Sequence, residues 1–175
     1  MSKKQLVALF VGNFVLFTIG NGILGLLPIY LTRLGADAAL TGYFLAFAFF
    51  MLFIGTLIAG WLSDRLQRRK TLLFVAGVGL VPTLWLMGQA SNLGQLIVHT
   101  ASVWFFAGMG VTTINILTGL FAEEGERGKV FGIIGSTVAL GSVIGGLTSG
   151  PIVDRWGFQG LFMLEALFVI IVPLS

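Results

Sequence analysis

The chain has 175 residues, 57% of them hydrophobic and only 10% charged, with a mean hydropathy of +1.01. A soluble domain carries roughly 25% charged residues, so this composition excludes a soluble fold and makes lipid the solvent of most of the surface. The net charge of +3 comes from lysines and arginines in short gaps between apolar stretches, which excludes the continuous basic face of a nucleic-acid binder, and the lack of cysteine excludes a disulfide framework and a thiolate metal site.

Breaks in the apolar run predict six membrane helices, at about 5–31, 40–62, 71–89, 93–121, 130–153 and 158–174. Each is near or above the roughly 20 residues that a span needs at 1.5 Å rise per residue. The first opens on Lys3-Lys4, which also suits a signal peptide cleaved after Ala36-Asp37-Ala38. Its apolar stretch is far longer than a signal core of about 7–15 residues, so it reads as an uncleaved span. It carries three polar groups, Asn13, Thr18 and Asn21, and ends in Leu27-Pro28-Ile29-Tyr30-Leu31 followed by Leu34-Gly35. Proline is tolerated there because neighbours or water can take the freed carbonyl.

The second span closes on Gly60-Trp61-Leu62-Ser63-Asp64-Arg65, followed by Leu66-Gln67-Arg68-Arg69-Lys70. Gly60 suits close approach of a neighbouring helix. Asp64 sits at a helix C-terminus, where the dipole disfavours an anion, so it needs outside partners, and the nearby arginines are the simplest. The same Gly-x-x-x-Asp-Arg pattern returns at Gly150-Pro151-Ile152-Val153-Asp154-Arg155, ninety residues on, at the end of the fifth span. If residues 1–90 and 91–175 are related halves, these positions are equivalent but oppositely oriented, as in the inverted repeats of secondary transporters.

The fourth span holds Trp104-Phe105-Phe106-Ala107-Gly108-Met109-Gly110 and the polar group Thr112, Thr113 and Asn115, with His99 near its outer end. A lone histidine there reads as interfacial. Glu123, Glu124, Glu126 and Arg127 form a charged turn before the fifth span. That span carries Gly132, Gly135, Gly141, Gly145, Gly146 and Gly150, spaced for close helix contact. The sixth contains Glu165, about 10 Å from the start of its helix. An ionised carboxylate there is costly, so Glu165 is expected to be protonated, paired or facing water, and is a candidate for proton coupling as much as for a neutral structural role. The sequence then stops in apolar residues at Val172-Pro173-Leu174-Ser175, which reads as a truncation.

Lys3, Lys4, Arg65, Arg68, Arg69, Lys70, Arg127 and Lys129 fall on one side of the membrane and only Arg33 and Arg155 on the other. Eight against two puts the N-terminus and the loops at 63–70 and 122–129 in the cytoplasm. The protein is thus expected in a cell membrane (inner or plasma) with the lipid bilayer as its first partner.

The stretch from Gly60 to Arg69 resembles the signature of the major facilitator superfamily, Gly-x-Leu-Ala/Ser-Asp-Arg-x-Gly-Arg-Arg/Lys, with Gly60, Leu62, Ser63, Asp64, Arg65, Arg68 and Arg69 in register. Gln67 stands where the family has glycine, so the turn is expected to be made differently or less tightly. Leu27–Leu31 and Glu126-Arg127-Gly128 resemble the family's first-helix end and its 4–5 loop. Gly141-Ser142-Val143-Ile144-Gly145-Gly146 resembles the Gly-Pro-x-x-Gly-Gly element of its drug antiporters, with Ser142 in place of proline. Trp104 and Ala107 replace an arginine and a glutamine of the family, the arginine being associated with proton coupling.

The resemblance implies an all-α integral membrane protein whose six helices form a 3+3 inverted repeat, the N-terminal bundle (residues 1–175) of a twelve-helix transporter. It implies secondary transport of a small molecule, efflux included, by alternating access. Gly60, Asp64, Arg65, Arg68 and Arg69 would gate, with Asp64 latched to the C-terminal bundle. Helices 1 and 4 would face the cavity, making Asn13, Thr18, Asn21, Thr112 and Asn115 substrate candidates, beside Glu165 for a coupling proton. No cofactor or metal is implied. The alternatives are a stand-alone six-helix protein acting as a homodimer, each copy supplying half a cavity, or a non-transporting remnant. An intramembrane serine protease is disfavoured: no serine lies in a Gly-x-Ser-Gly pattern, and His99 precedes the helix 5 serines.

Overall fold

The computed structural model describes residues 1–174; Ser175, the last residue of the expected truncation, lies outside them. The described residues form helices and short connections only: α1 (Lys3–Arg33), α2 (Ala38–Leu66), α3 (Arg69–Met87), α4 (Leu93–Phe121), a 3₁₀ turn (Glu124–Glu126), α5 (Arg127–Phe168) and α6 (Ile171–Leu174). Among them five helices are long and apolar enough to cross a membrane. The starts of α1, α2 and α4 are set by short polar side chains that accept from otherwise orphaned N–H groups. Ser2 and Gln5 form a reciprocal capping box at α1, Asp37 accepts from the N–H of Leu40 at 2.7 Å, and Asn92 accepts from that of Gln95 at 2.9 Å.

One expected boundary changes. Helix 2 was expected to end near Leu62, but α2 runs on to Leu66, so Ser63, Asp64 and Arg65 occupy its last turn instead of a loop. The range given as α5 comprises two helices that meet at Gly157, whose φ 68° and ψ −179° are not helical, within the gap expected between the fifth and sixth spans. Only glycine populates that backbone region readily. The residues before the break run alongside α1 in the same direction: Thr137 meets Asn13, Gly141 meets Thr18, and Ser149 meets Gly22. After it the chain returns. Phe158 stacks on Tyr30 at 4.2 Å between ring centroids, Phe162 lies against Gly88, and Pro173 reaches Gly77, the last two descending along α3. Replacing Gly157 with alanine is expected to lower stability by about 1–3 kcal/mol, visible as a lower melting temperature in detergent. An unchanged melting temperature would mean that the reversal does not need a positive φ.

In lipid no hydrophobic force drives apolar helices together, so association rests on close van der Waals packing. Two backbone-to-backbone crossings supply it here. A Cβ on Gly145 would strike the Thr18 carbonyl and lie 3.0 Å from the Gly22 nitrogen; one on Gly141 would lie 2.8 Å from the Thr18 nitrogen. Across the bundle, a Cβ on Gly55 would strike the Phe105 carbonyl, and one on Gly108 would strike the Leu52 carbonyl and lie 3.2 Å from the Thr56 nitrogen. Thus α1 is seamed to α5, and α2 to α4. Gly60, expected to admit a neighbour, has nothing within 4 Å of where its Cβ would lie, and neither do Gly132, Gly135, Gly146 and Gly150. These glycines sit on faces that no described residue covers.

The two ends of the bundle differ. Lys4 and Lys70 border one cavity at the end where α1 and α3 begin, and the N-terminal ammonium pairs with Glu123 at 3.4 Å. At the opposite end the Arg33 guanidinium lies 5.1 Å from the centroid of the Phe158 ring, and the Tyr30 hydroxyl donates to the Ala90 carbonyl at 3.0 Å. The two Asp-Arg motifs therefore lie at opposite ends.

Candidate functional site

Between the two seams α1, α2 and α4 leave an apolar cavity of about 140 Å³. The space follows from side-chain size: Gly20 has nothing within 4 Å of its missing Cβ, and Ala107 faces the same gap with a single methyl. Phe17, Leu24, Phe49 and Val111 form much of its wall. Two polar groups reach it. The Asn21 amide donates to the Phe17 carbonyl at 2.9 Å, one turn back on its own helix, and its Oδ1 has no partner among the described residues. Trp104 is 4% exposed, and its indole N–H has no acceptor among the described residues. Among the described residues no ionisable side chain lines the cavity. Such a site can hold an uncharged apolar group and offer it one acceptor and one donor.

Of the expected cavity residues only Asn21 is found there. Asn13 is buried in the α1–α5 seam, where its Nδ2 donates to Thr137 Oγ1 at 2.7 Å and approaches the Ile134 carbonyl at 3.4 Å. Such interhelical bonds contribute about 0.6 kcal/mol on average. Its Oδ1 is buried without a partner among the described residues. Thr18 lies in the same seam and returns its hydroxyl to the Phe14 carbonyl at 2.8 Å. On α4, Thr113 does likewise with Met109 at 2.7 Å, Thr112 is half-buried outside the cavity wall, and Asn115 is exposed. Glu165 is buried on the returning limb of α5, its Oε2 without a partner among the described residues, and His99 is half-buried near the start of α4. The structure thus brings Asn21 together with Trp104 and Ala107. These were legible only as the two places where helix 4 departs from the pattern it otherwise resembles.

The Gly60–Lys70 segment makes a tight turn after all. Gln67 takes the left-handed conformation, φ 52° and ψ 13°, that a glycine would take at a helix C-cap, and its N–H donates to the Ser63 carbonyl. The arginines do not pair with Asp64, as had been expected. Arg69 Nε donates to Ser63 Oγ at 3.1 Å, Arg65 lies 5.2 Å over the Trp61 ring, and Arg68 is exposed at the N-cap of α3. Asp64 itself is exposed, with no ion pair among the described residues. Its carboxylate remains open to something outside them.

The family profile described as Major Facilitator Superfamily matches residues 9–174. The chain is 25% identical over 169 residues to Multidrug resistance protein MdtG of Klebsiella pneumoniae (strain 342), covering 94% of this chain and 40% of that protein. The same-named proteins of Salmonella arizonae and Escherichia fergusonii are also 25% identical over 169 residues, 94% of this chain and 41% of theirs. The chain spans about 40% of the length of the curated relatives it matches.

Proposed function

This chain belongs to the major facilitator superfamily, and we propose that it is the N-terminal half of a transporter that exports small lipophilic molecules from a cell by alternating access. The observation that carries this reading is the open, uncharged cavity between α1, α2 and α4, set beside relatives named as multidrug resistance proteins. Residues 127–156 and 158–174 count as separate spans, giving six. The two glycine seams support an inverted 3+3 repeat. Helix 1 pairs with 5 as helix 4 pairs with 2, and Gly55 and Gly145 are ninety positions apart, like Gly60 and Gly150 or Asp64 and Asp154. The basic end of the bundle, with Lys4 and Lys70, is assigned to the cytoplasm by its excess of lysine and arginine.

In this mechanism the faces bearing Gly146, Leu147 and Gly150 on α5 and Tyr43, Phe50 and Leu57 on α2, exposed here or left without a neighbour, meet lipid or a second six-helix unit. The two units rock about a substrate held near the membrane midplane. A second copy of this chain could supply that unit in place of a C-terminal bundle, and intact mass from the native membrane separates the cases. About twice 18.7 kDa or more means one longer chain; 18.7 kDa means a unit that pairs with itself or does not transport.

Transport is tested by expressing the natural full-length protein in cells lacking their own exporters and measuring retention of a lipophilic fluorescent dye. Faster dye loss than in the empty host is expected, and equal loss would retire the export reading. Glu165 is the candidate for proton linkage because its carboxylate is buried with an unpartnered oxygen. Glu165→Gln is expected to flatten the pH dependence of transport; a profile unchanged from the parent would leave Glu165 a structural residue.

A further inference from the structure

Resting on the transport reading, we propose that the cavity between α1, α2 and α4 is a subsite for one uncharged, ring-sized group of the substrate, bounded by Phe17, Phe49 and Ala107 and addressed by Asn21 and Trp104. Size comes first. At about 140 Å³ the cavity is close to the roughly 150 Å³ apolar cavity that accepts a benzene molecule in another protein. It therefore takes one aromatic ring or a short branched alkyl group, and the rest of a larger molecule must lie outside it.

Charge comes second. Among the described residues no carboxylate, lysine or arginine lines the cavity, so an ammonium placed there would exchange its full hydration for ring faces and one amide oxygen, without a counter-charge. A neutral arene loses nothing by entering and gains dispersion contacts with Phe17 and Phe49.

Polarity comes third. Asn21 Oδ1 and the Trp104 N–H have no partner among the described residues, while most polar atoms elsewhere in α1 and α4 return to their own helix or cross to a neighbour. An acceptor and a donor left free at the wall of an apolar cavity can orient a hydroxyl, an amine N–H or a carbonyl on the ring's edge. Ala107 sets the volume: a phenylalanine at that position would occupy most of the space.

The test is photolabelling of the natural full-length protein in liposomes with 3-trifluoromethyl-3-phenyldiazirine, a neutral ring-sized probe, followed by peptide mapping. Peptides containing Asn21 and Trp104 are expected to lose at least fivefold of their label when excess toluene is added, while exposed lipid-facing positions such as Phe53 and Val78 keep theirs. Benzyltrimethylammonium, the same ring with a fixed charge, is expected not to compete. Ala107→Phe is expected to lower label on the same peptides about as much as toluene does. Labelling at Asn21 and Trp104 that toluene leaves unchanged would overturn the subsite, and equal competition by benzyltrimethylammonium would overturn its neutrality. Should Ala107→Phe not fold, the two competition arms in the parent protein still decide. Dye export is measured on the same protein. Export without competable labelling sinks the subsite alone, and competable labelling without export sinks the transport reading alone.

Discussion

Replacing Gly145 with valine is expected to cost about 3 kcal/mol or more and to leave little folded protein in the membrane. The new Cβ would strike the Thr18 carbonyl and crowd the Gly22 nitrogen, and both are backbone atoms of a helix that cannot rotate aside as a side chain would. Overpacking a core typically costs about 1–3 kcal/mol when side chains absorb it, and here the α1 axis itself must move. That shift would also break the Asn13–Thr137 hydrogen bond further along the same seam. Gly55→Val should fail in the same way, because its Cβ meets the Phe105 carbonyl where α2 crosses α4. The control is Gly25→Ala, at a position with nothing within 4 Å, which should be neutral or stabilising by up to about 1 kcal/mol through helix propensity. Thermal melts in detergent, together with the folded fraction on size exclusion, measure all three. If Gly145→Val melts with Gly25→Ala, the seams are not what holds the bundle together.

Asp64→Asn is expected to reduce transport by about tenfold while leaving insertion and melting temperature unchanged. The basis is an exposed carboxylate in the last turn of α2 with no ion pair among the described residues. Its neighbours are already engaged, Arg69 with Ser63 and Arg65 with Trp61. A charge so placed adds little to this bundle's stability and is free to hold a conformation through a group outside it. Conformational couplings are typically about 1–3 kcal/mol, which corresponds to roughly 5–150-fold in an equilibrium. Dye export by the full-length variant, normalised to its amount in the membrane, is the readout. Parental export rates would remove the latch, whereas a matching fall in melting temperature would make Asp64 a structural residue instead.

The candidate residues were visible one by one in the sequence, but not the neighbours each would meet. Asn13, Thr18 and Asn21 form one polar series on α1 in the sequence, yet two face the α5 seam and one faces the cavity. A helix turns 100° per residue, so spacing along one helix sorts faces relative to each other but does not say which neighbour each face meets. Trp104 and Ala107 read first as departures from a pattern, and only the structure places both on one cavity wall. Gly60 shows the reverse: its motif pointed to a close contact, and the described residues provide none.

Solvent and chain-local chemistry were determined by the sequence alone. Few charges in long apolar runs require membrane helices, because backbone polar groups in lipid must be satisfied within the segment. Serine, aspartate and asparagine before those runs specify where several of them begin. The resemblance from Gly60 to Arg69 pointed to the family. Only the tertiary structure decided which glycines are seams and which lie open, that Gln67 would adopt a glycine's conformation, that Gly157 makes the reversal between two helices, and that the cavity holds no charge. Each depends on which helices lie side by side. In lipid, where apolar faces have no intrinsic preference for one another, that choice is made by shape, and shape is a property of two helices at once.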